Sequence, residues 1–112
     1  MSGFIYLASP YTSPNKDIME LRYWAVMDKV NQMLKKKQWV YSPIVHCHNI
    51  AATYGHTGDF AYWQEYDFTM IDAARELHVL MLDGWQMSNG VREETAYALN
   101  KGKIVHYVEE FE

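Results

Sequence analysis

Apolar and polar positions follow two rhythms along the chain. Phe4-Ile5-Tyr6-Leu7-Ala8 is a short apolar, β-favouring run without alternation, the pattern of a strand covered on both faces. Ser9-Pro10-Tyr11-Thr12-Ser13-Pro14 ends it, because proline cannot extend a hydrogen-bonded ladder and the hydroxyls suit a turn. Over residues 16–37 the period becomes helical. Met19, Tyr23, Val26, Met27, Val30, Met33 and Leu34 form a stripe with polar residues between them, and Asn15 or Ser13 is positioned to cap it. Trp39-Val40-Tyr41-Ser42 predicts a second strand, stopped by Pro43. Ile44-Val45-His46-Cys47-His48-Asn49 is too polar for plain core and too apolar for a solvated linker. Residues 50–60, with Gly55, Gly58 and Asp59, read as a loop or a short helix with an irregular end.

The second half repeats the alternation. Phe60, Trp63, Asp67, Met70, Ile71 and Ala74 have helical spacing over residues 60–75, with one carboxylate, Asp67, on an otherwise apolar stripe. A third strand is expected at residues 78–82, a helix at 91–100 stopped by Gly102, and a fourth strand at 104–108 before an acidic, solvated tail ending at Glu112. Strands alternating with helices imply right-handed crossovers and a parallel sheet with helices on both faces. Ligands of such sheets bind beyond the carboxyl ends of the strands, near the switch in strand order. That rule selects Ser9 to Thr12, Pro43 to His48, Asp83 to Gly90, and the region beyond His106. Tyr6, Tyr11, Trp63 and Trp85 are nearby surfaces on which a flat ring can stack.

Composition narrows the class. The 112 residues suit one domain. Hydrophobic content of 49% and aromatic content of 15% argue for a packed core and against disorder. A net charge of −4 gives no basic surface for nucleic acid, and Lys35-Lys36-Lys37 suits a helix C-terminus. The single cysteine, Cys47, excludes an internal disulfide and fits a reducing compartment. The expectation is a cytoplasmic protein with neither signal peptide nor membrane span. The four tryptophans and seven methionines are expected mostly in the core.

The densest chemistry lies at Leu82-Asp83-Gly84-Trp85-Gln86-Met87-Ser88-Asn89-Gly90-Val91-Arg92-Glu93-Glu94, a strand running through a glycine-containing turn into a helix. Such a junction offers free amides and a positive dipole end to an anion such as phosphate. Val91, Thr95, Ala98 and Leu99 define the helix's inner face, which sets Glu93 opposite it and Glu94 on its shoulder. Two readings of Glu94 stand: a first-turn acid favoured by the dipole, or a functional carboxylate facing the pocket. Asp67 is either a buried hydrogen-bond acceptor or a catalytic group. Asp83 either shapes the turn with Gly84 or faces a ligand. Ser88-Asn89-Gly90 is either an N-cap or a phosphate cradle. His46, Cys47, His48, His56 and Asp59 lack the spacing of a zinc site, so no metal or other cofactor is expected. Nothing marks Cys47 as an activated nucleophile.

Taken together, these residues resemble the nucleoside 2-deoxyribosyltransferase superfamily. Phe4-Ile5-Tyr6-Leu7-Ala8-Ser9-Pro10-Tyr11 is similar to its opening strand and turn. Asp83 through Ala98, with Ser88-x-Gly90 and Glu94-Thr95-Ala96-Tyr97-Ala98, is similar to its catalytic strand-turn-helix. The likeness is closest to small, often phage-borne relatives with Ser-Pro-x-x-His and Asp-Gly-Trp signatures, here Ser42-Pro43-Ile44-Val45-His46 and Asp83-Gly84-Trp85. It implies a flavodoxin- or Rossmann-like three-layer α/β sandwich with a mostly parallel sheet of about four or five strands.

It also implies that Glu94 attacks the anomeric carbon of a (deoxy)ribosyl group, that Tyr6 orients Glu94, that Asp83 holds the sugar hydroxyls, and that Asp67 binds or protonates the departing base. Ser88, Asn89 and Gly90 would bind a 5′-phosphate. Ser9, Pro10, Tyr11, His46, His48, Trp63, Gly84 and Trp85 complete the candidate substrate contacts. Arg92 replaces a family glycine, either adding a phosphate contact or obstructing one, and Ala96 replaces another. The implied activity is cleavage or exchange of the N-glycosidic bond of a (deoxy)nucleoside 5′-monophosphate. The alternative is a nucleotide-binding protein without turnover. No obvious lid segment is present, so a homo-oligomer is expected, with a partner subunit closing the pocket.

Overall fold

Ile5, Leu7 and Leu80 face one side of a sheet while Tyr6, Ala8, Leu77 and Val79 face the other, and all seven are buried. Strands apolar on both faces require helices on both, and that is the architecture observed. The structure, a computed structural model, describes residues 3–57 and 59–111; Gly58 of the expected loop and Glu112 of the acidic tail lie outside them. In chain order the elements are β1 (Ile5–Ala8), α1 (Lys16–Lys35), β2 (Val40–Tyr41), α2 (Pro43–Tyr54), α3 (Phe60–Ala73), β3 (Glu76–Leu80), a short 3-10 turn (Trp85–Met87), α4 (Asn89–Asn100) and β4 (Val105–Val108). The sheet has four strands, all parallel, in the order β2-β1-β3-β4. Tyr23, Val26 and Met33 of α1 cover one face, joined by Ile44 of α2. Ile71 of α3 with Val91 and Ala98 of α4 covers the other. The result is the expected three-layer α/β sandwich. The chain leaves β1 toward β2 on one side and β3 toward β4 on the other, so the strand order switches between β1 and β3.

Four features depart from the expectation. Residues 43–54 form one helix, α2, where the pattern assigns no element to 44–49 and a loop or short helix to 50–60: Ser42 is its N-cap, with Oγ accepting from the Val45 amide at 3.2 Å, Pro43 opens its first turn, and Gly55 closes it at φ 76°. Strand β3 starts two residues early and ends at Leu80, where the Leu82 amide turns back to the Leu80 carbonyl (2.9 Å). Lys29 is buried on the inner side of α1, and its Nζ donates to the Glu109 carbonyl at 2.6 Å. With Gln32 Nε2 reaching the Glu110 carbonyl at 3.4 Å, this ties the acidic end to α1 instead of leaving it a free tail. None of the four tryptophans is fully buried, and Met33 is the only buried methionine among the described residues. Among those residues no helix is long and apolar enough to cross a membrane.

Candidate active site

A cavity of about 310 Å³ opens at the carboxyl end of the sheet, beside the switch between β1 and β3. Its floor comes from Ser9 after β1, its walls from α2 (Ile44, Cys47, His48, Ala51) and α3 (Phe60, Trp63, Asp67), and its far side from Ser88, Asn89, Gly90 and Glu94 of α4. The volume is at the low end of small-molecule sites.

Glu94 and Asp67 carry its chemistry. Glu94 is 4% exposed, on a helix face that also buries Val91 and Ala98, so it sits at the centre of the inner face and not on its shoulder. Leu99, expected on that face, is turned outward. Tyr6, completely buried on β1, donates its hydroxyl to Glu94 Oε2 at 2.5 Å. The Asp67 carboxyl hydrogen-bonds Glu94 from α3. Burial and the Asp67 charge push the Glu94 pKa well above the carboxylate range, against the opposing pull of the Tyr6 hydroxyl. Burial raises Asp67 to about 6. The two acids therefore share a proton at neutral pH, as like charges held together in a low-dielectric site must. Tyr6 is itself held firmly protonated, by burial first and the two carboxylates second.

The remaining lining divides into held and free groups. Ser9 is buried, and its Oγ has no protein partner, which leaves it available to a ligand. His48 is fixed: Nδ1 lies 2.5 Å from the Tyr11 hydroxyl, Nε2 lies 2.8 Å from Glu20 Oε1, and the ring stacks on Tyr23 at 4.1 Å. A neutral ring donating from Nε2 and accepting at Nδ1 satisfies both bonds. Burial and then Glu20 raise the Tyr11 hydroxyl. Trp63 donates its indole N–H to the Thr57 carbonyl at 2.6 Å. Burial and then the Asp67 charge raise the Cys47 thiol, so it is no nucleophile at neutral pH.

At the start of α4 the Ser88 hydroxyl caps the Val91 amide at 3.2 Å. Asn89 and Gly90 follow in the first turn, where amides lack intrahelical acceptors, and both line the cavity. A Cβ on Gly90 would stand 3.3 Å from Phe60 Cδ1, so glycine keeps this corner open.

The fold thus brings Glu94, Asp67, Tyr6, Ser9, Tyr11, His48, Trp63, Ser88, Asn89 and Gly90 to one place. Other candidates fall outside the cavity lining. Pro10 is fully buried and does not line it. His46 is exposed, between Tyr41 and Tyr66 at 5.8 and 6.4 Å. Trp85 packs on Tyr107 at 5.6 Å. Asp83 and Gly84 sit on the exposed turn after Leu82, where Arg22 Nη2 reaches the Asp83 carbonyl at 3.5 Å and Gly84 adopts φ 88°. Arg92 is exposed and bonds Asn89 Oδ1 at 2.8 Å, which orients a cavity residue without entering the cavity. The region beyond His106 does not contribute to the lining. Ile44, Cys47 and Ala51 are wall residues that periodicity does not single out, because α2 itself lacks a clear stripe; the Ser42-Pro43 start and Gly55 stop are its signal.

Residues 3–110 match a family described as a domain of unknown function, DUF1937. The chain belongs to that family. No match is found among curated proteins. Nearly the whole of this DUF1937 chain falls within the match, from the first strand through the last, so both acids and all of the cavity lie inside it.

Proposed function

We propose that this protein cleaves or exchanges the N-glycosidic bond of a (deoxy)nucleoside 5′-monophosphate, with Glu94 as nucleophile. The observation that carries the reading is the buried Glu94–Asp67 pair, braced by Tyr6, in the wall of a cavity that also receives the amino end of α4. The resemblance to the nucleoside 2-deoxyribosyltransferase superfamily supports the same roles. Breaking a glycosidic bond passes through an oxocarbenium-like state, which a nearby carboxylate stabilises and traps.

The shared proton divides the labour. At rest the proton lies on Glu94, the more strongly raised of the two, and its transfer to Asp67 across their contact frees the Glu94 carboxylate to attack C1′. The C1′–N bond breaks, and its electron pair leaves with the base, which takes the proton from Asp67. Water, or a second base, then attacks C1′ of the glycosyl ester, with Asp67 accepting the proton and Glu94 leaving as carboxylate. Tyr6 donates to Glu94 throughout and holds its rotamer. Trp63 and Phe60 supply aromatic surface for the base, and Ser9 Oγ a hydrogen bond for the sugar. The Asn89 and Gly90 amides receive the phosphate. A nucleotide substrate and a free Cys47 suit the cytoplasm.

Incubation with a panel of nucleoside monophosphates, followed by chromatography and thermal shift, tests the reading. The wild type is expected to release free base. Glu94→Ala is expected to lose release while retaining ligand-induced stabilisation. Stabilisation without release by the wild type identifies a binder instead, and the absence of both sinks the nucleotide reading.

A further inference from the structure

At the other end of the sheet, a second cluster of titratable groups has no part in this chemistry. Glu76 opens β3 and His78 follows two residues later, so strand periodicity puts both side chains on one face. The parallel register sets His106 of β4 directly beside His78. Glu76 Oε1 lies 3.4 Å from His78 Nε2, and Glu76 Oε2 lies 3.2 Å from His106 Nε2. The imidazole centroids are 4.9 Å apart, and one donor atom from each of the three residues falls within 4.8 Å of the others. His78 is 8% exposed, and neither of its ring nitrogens makes a well-formed hydrogen bond. A buried imidazole so placed is costly unless something else satisfies it.

We propose that Glu76, His78 and His106 bind a first-row transition metal ion of the Zn²⁺ type. Donors sharing a tetrahedral ion through bonds of about 2.0–2.1 Å stand about 3.3–3.4 Å apart, close to the 3.2 Å between Glu76 Oε2 and His106 Nε2, and a small side-chain shift brings His78, within 4.8 Å of both, into the same set. Two imidazoles and a carboxylate suit zinc, nickel or copper, and not magnesium or calcium. Arg75 Nη2 holds Glu76 Oε1 at 3.1 Å, which leaves Oε2 to coordinate and orients the carboxylate from outside the site. Its positive charge opposes the ion and tempers affinity. A recess of about 50 Å³ beside His78, lined by Gln32, Gln38 and Lys29 among others, is polar and large enough for a water that His78 Nδ1 can hydrogen-bond. Because β4 is an edge strand paired only with β3, an ion held by both strands would clamp the sheet edge.

The test is equilibrium dialysis of the chelator-stripped full chain against Zn²⁺, with thermal shift and the visible spectrum of the Co²⁺ form alongside. One ion per chain and a metal-dependent rise in Tm are expected. His106→Ala, which removes an exposed ring, and Glu76→Gln are each expected to weaken binding about tenfold or more. His46→Ala and His56→Ala, exposed rings elsewhere, should change neither quantity. Absence of binding by the wild type, or binding that survives His106→Ala, overturns the proposal. So does binding lost in either control. None of these outcomes bears on the glycosidic reading.

Discussion

Burying two carboxyls side by side is unfavourable to folding, and the consequence can be measured at Asp67. Its folded-state pKa, raised to about 6 from 3.8 by burial, means that the folded protein holds this proton more tightly than the unfolded chain does. Stability from this group is therefore fully present below about pH 4. It is lost as pH rises toward 6, and the full penalty persists above that. A rise of this size corresponds to up to about 3 kcal/mol. Asp67→Asn removes the titration and is expected to stabilise the protein by up to that amount at pH 7, with little difference from wild type near pH 4. Denaturant titrations at both pH values check this; equal effects at the two would show that the pair is not strained. The same substitution should abolish base release, because Asn cannot deliver the proton. Helical phase in the sequence singles out Glu94 on α4. It does not pair Glu94 with Asp67, since nothing local to either residue encodes the approach of α3 to α4. His48 is visible as a polar residue near the site, but its bonds to Tyr11 and Glu20 depend on how α2 meets α1.

At the level of elements, the alternating strands and helices are legible in the sequence, and the wall of the cavity is not. The hydrophobic stripe of α1 and the inner face of α4 have clear periodicity, whereas α2 is short, polar in its middle and apolar on more than one side. Its identity lies in its ends: Ser42 before Pro43, and Gly55 after Tyr54. Pro43 ends a strand and begins a helix with equal ease, because its missing amide is needed in neither place. Lys29 defeats periodicity for another reason, since a long side chain can sit on an inner face when its ammonium finds a carbonyl, here that of Glu109. If the Ser42 cap sets where α2 starts, Ser42→Ala should cost about 1 kcal/mol of stability. Because α2 carries Ile44, Cys47, His48 and Ala51 into the cavity wall, a fraying first turn should also weaken ligand-induced stabilisation. Urea denaturation and nucleotide thermal shift measure the two effects, and a loss of stability with unchanged ligand response would separate the cap from the site.

The whole molecule has a radius of gyration of 13.1 Å, the value expected of one compact chain of this length. The order β2-β1-β3-β4 is not available from composition or periodicity, yet it decides that the cavity lies between Ser9 and the amino end of α4, because the strand order switches there. The cavity mouth is open, and Met87 on the far side of the lining is 86% exposed. On α1, which packs against α2, Ile18, Leu21 and Trp24 stand 40, 70 and 57% exposed at successive three-residue steps, an outward apolar ridge. Together these features favour a homo-oligomer in which the α1 ridge meets a second copy and the partner shelters the site. Light scattering behind size-exclusion chromatography should then give a multiple of 13.2 kDa for the wild type. Leu21→Glu, which puts a charge at the most exposed position of the ridge, should return the mass to that of one chain. If the partner completes the site, the variant should also lose kcat/KM for base release, whereas an oligomer formed for stability alone would leave it unchanged. A wild-type protein that stays at one chain's mass at high micromolar concentration would mean that the open cavity binds its ligand unaided.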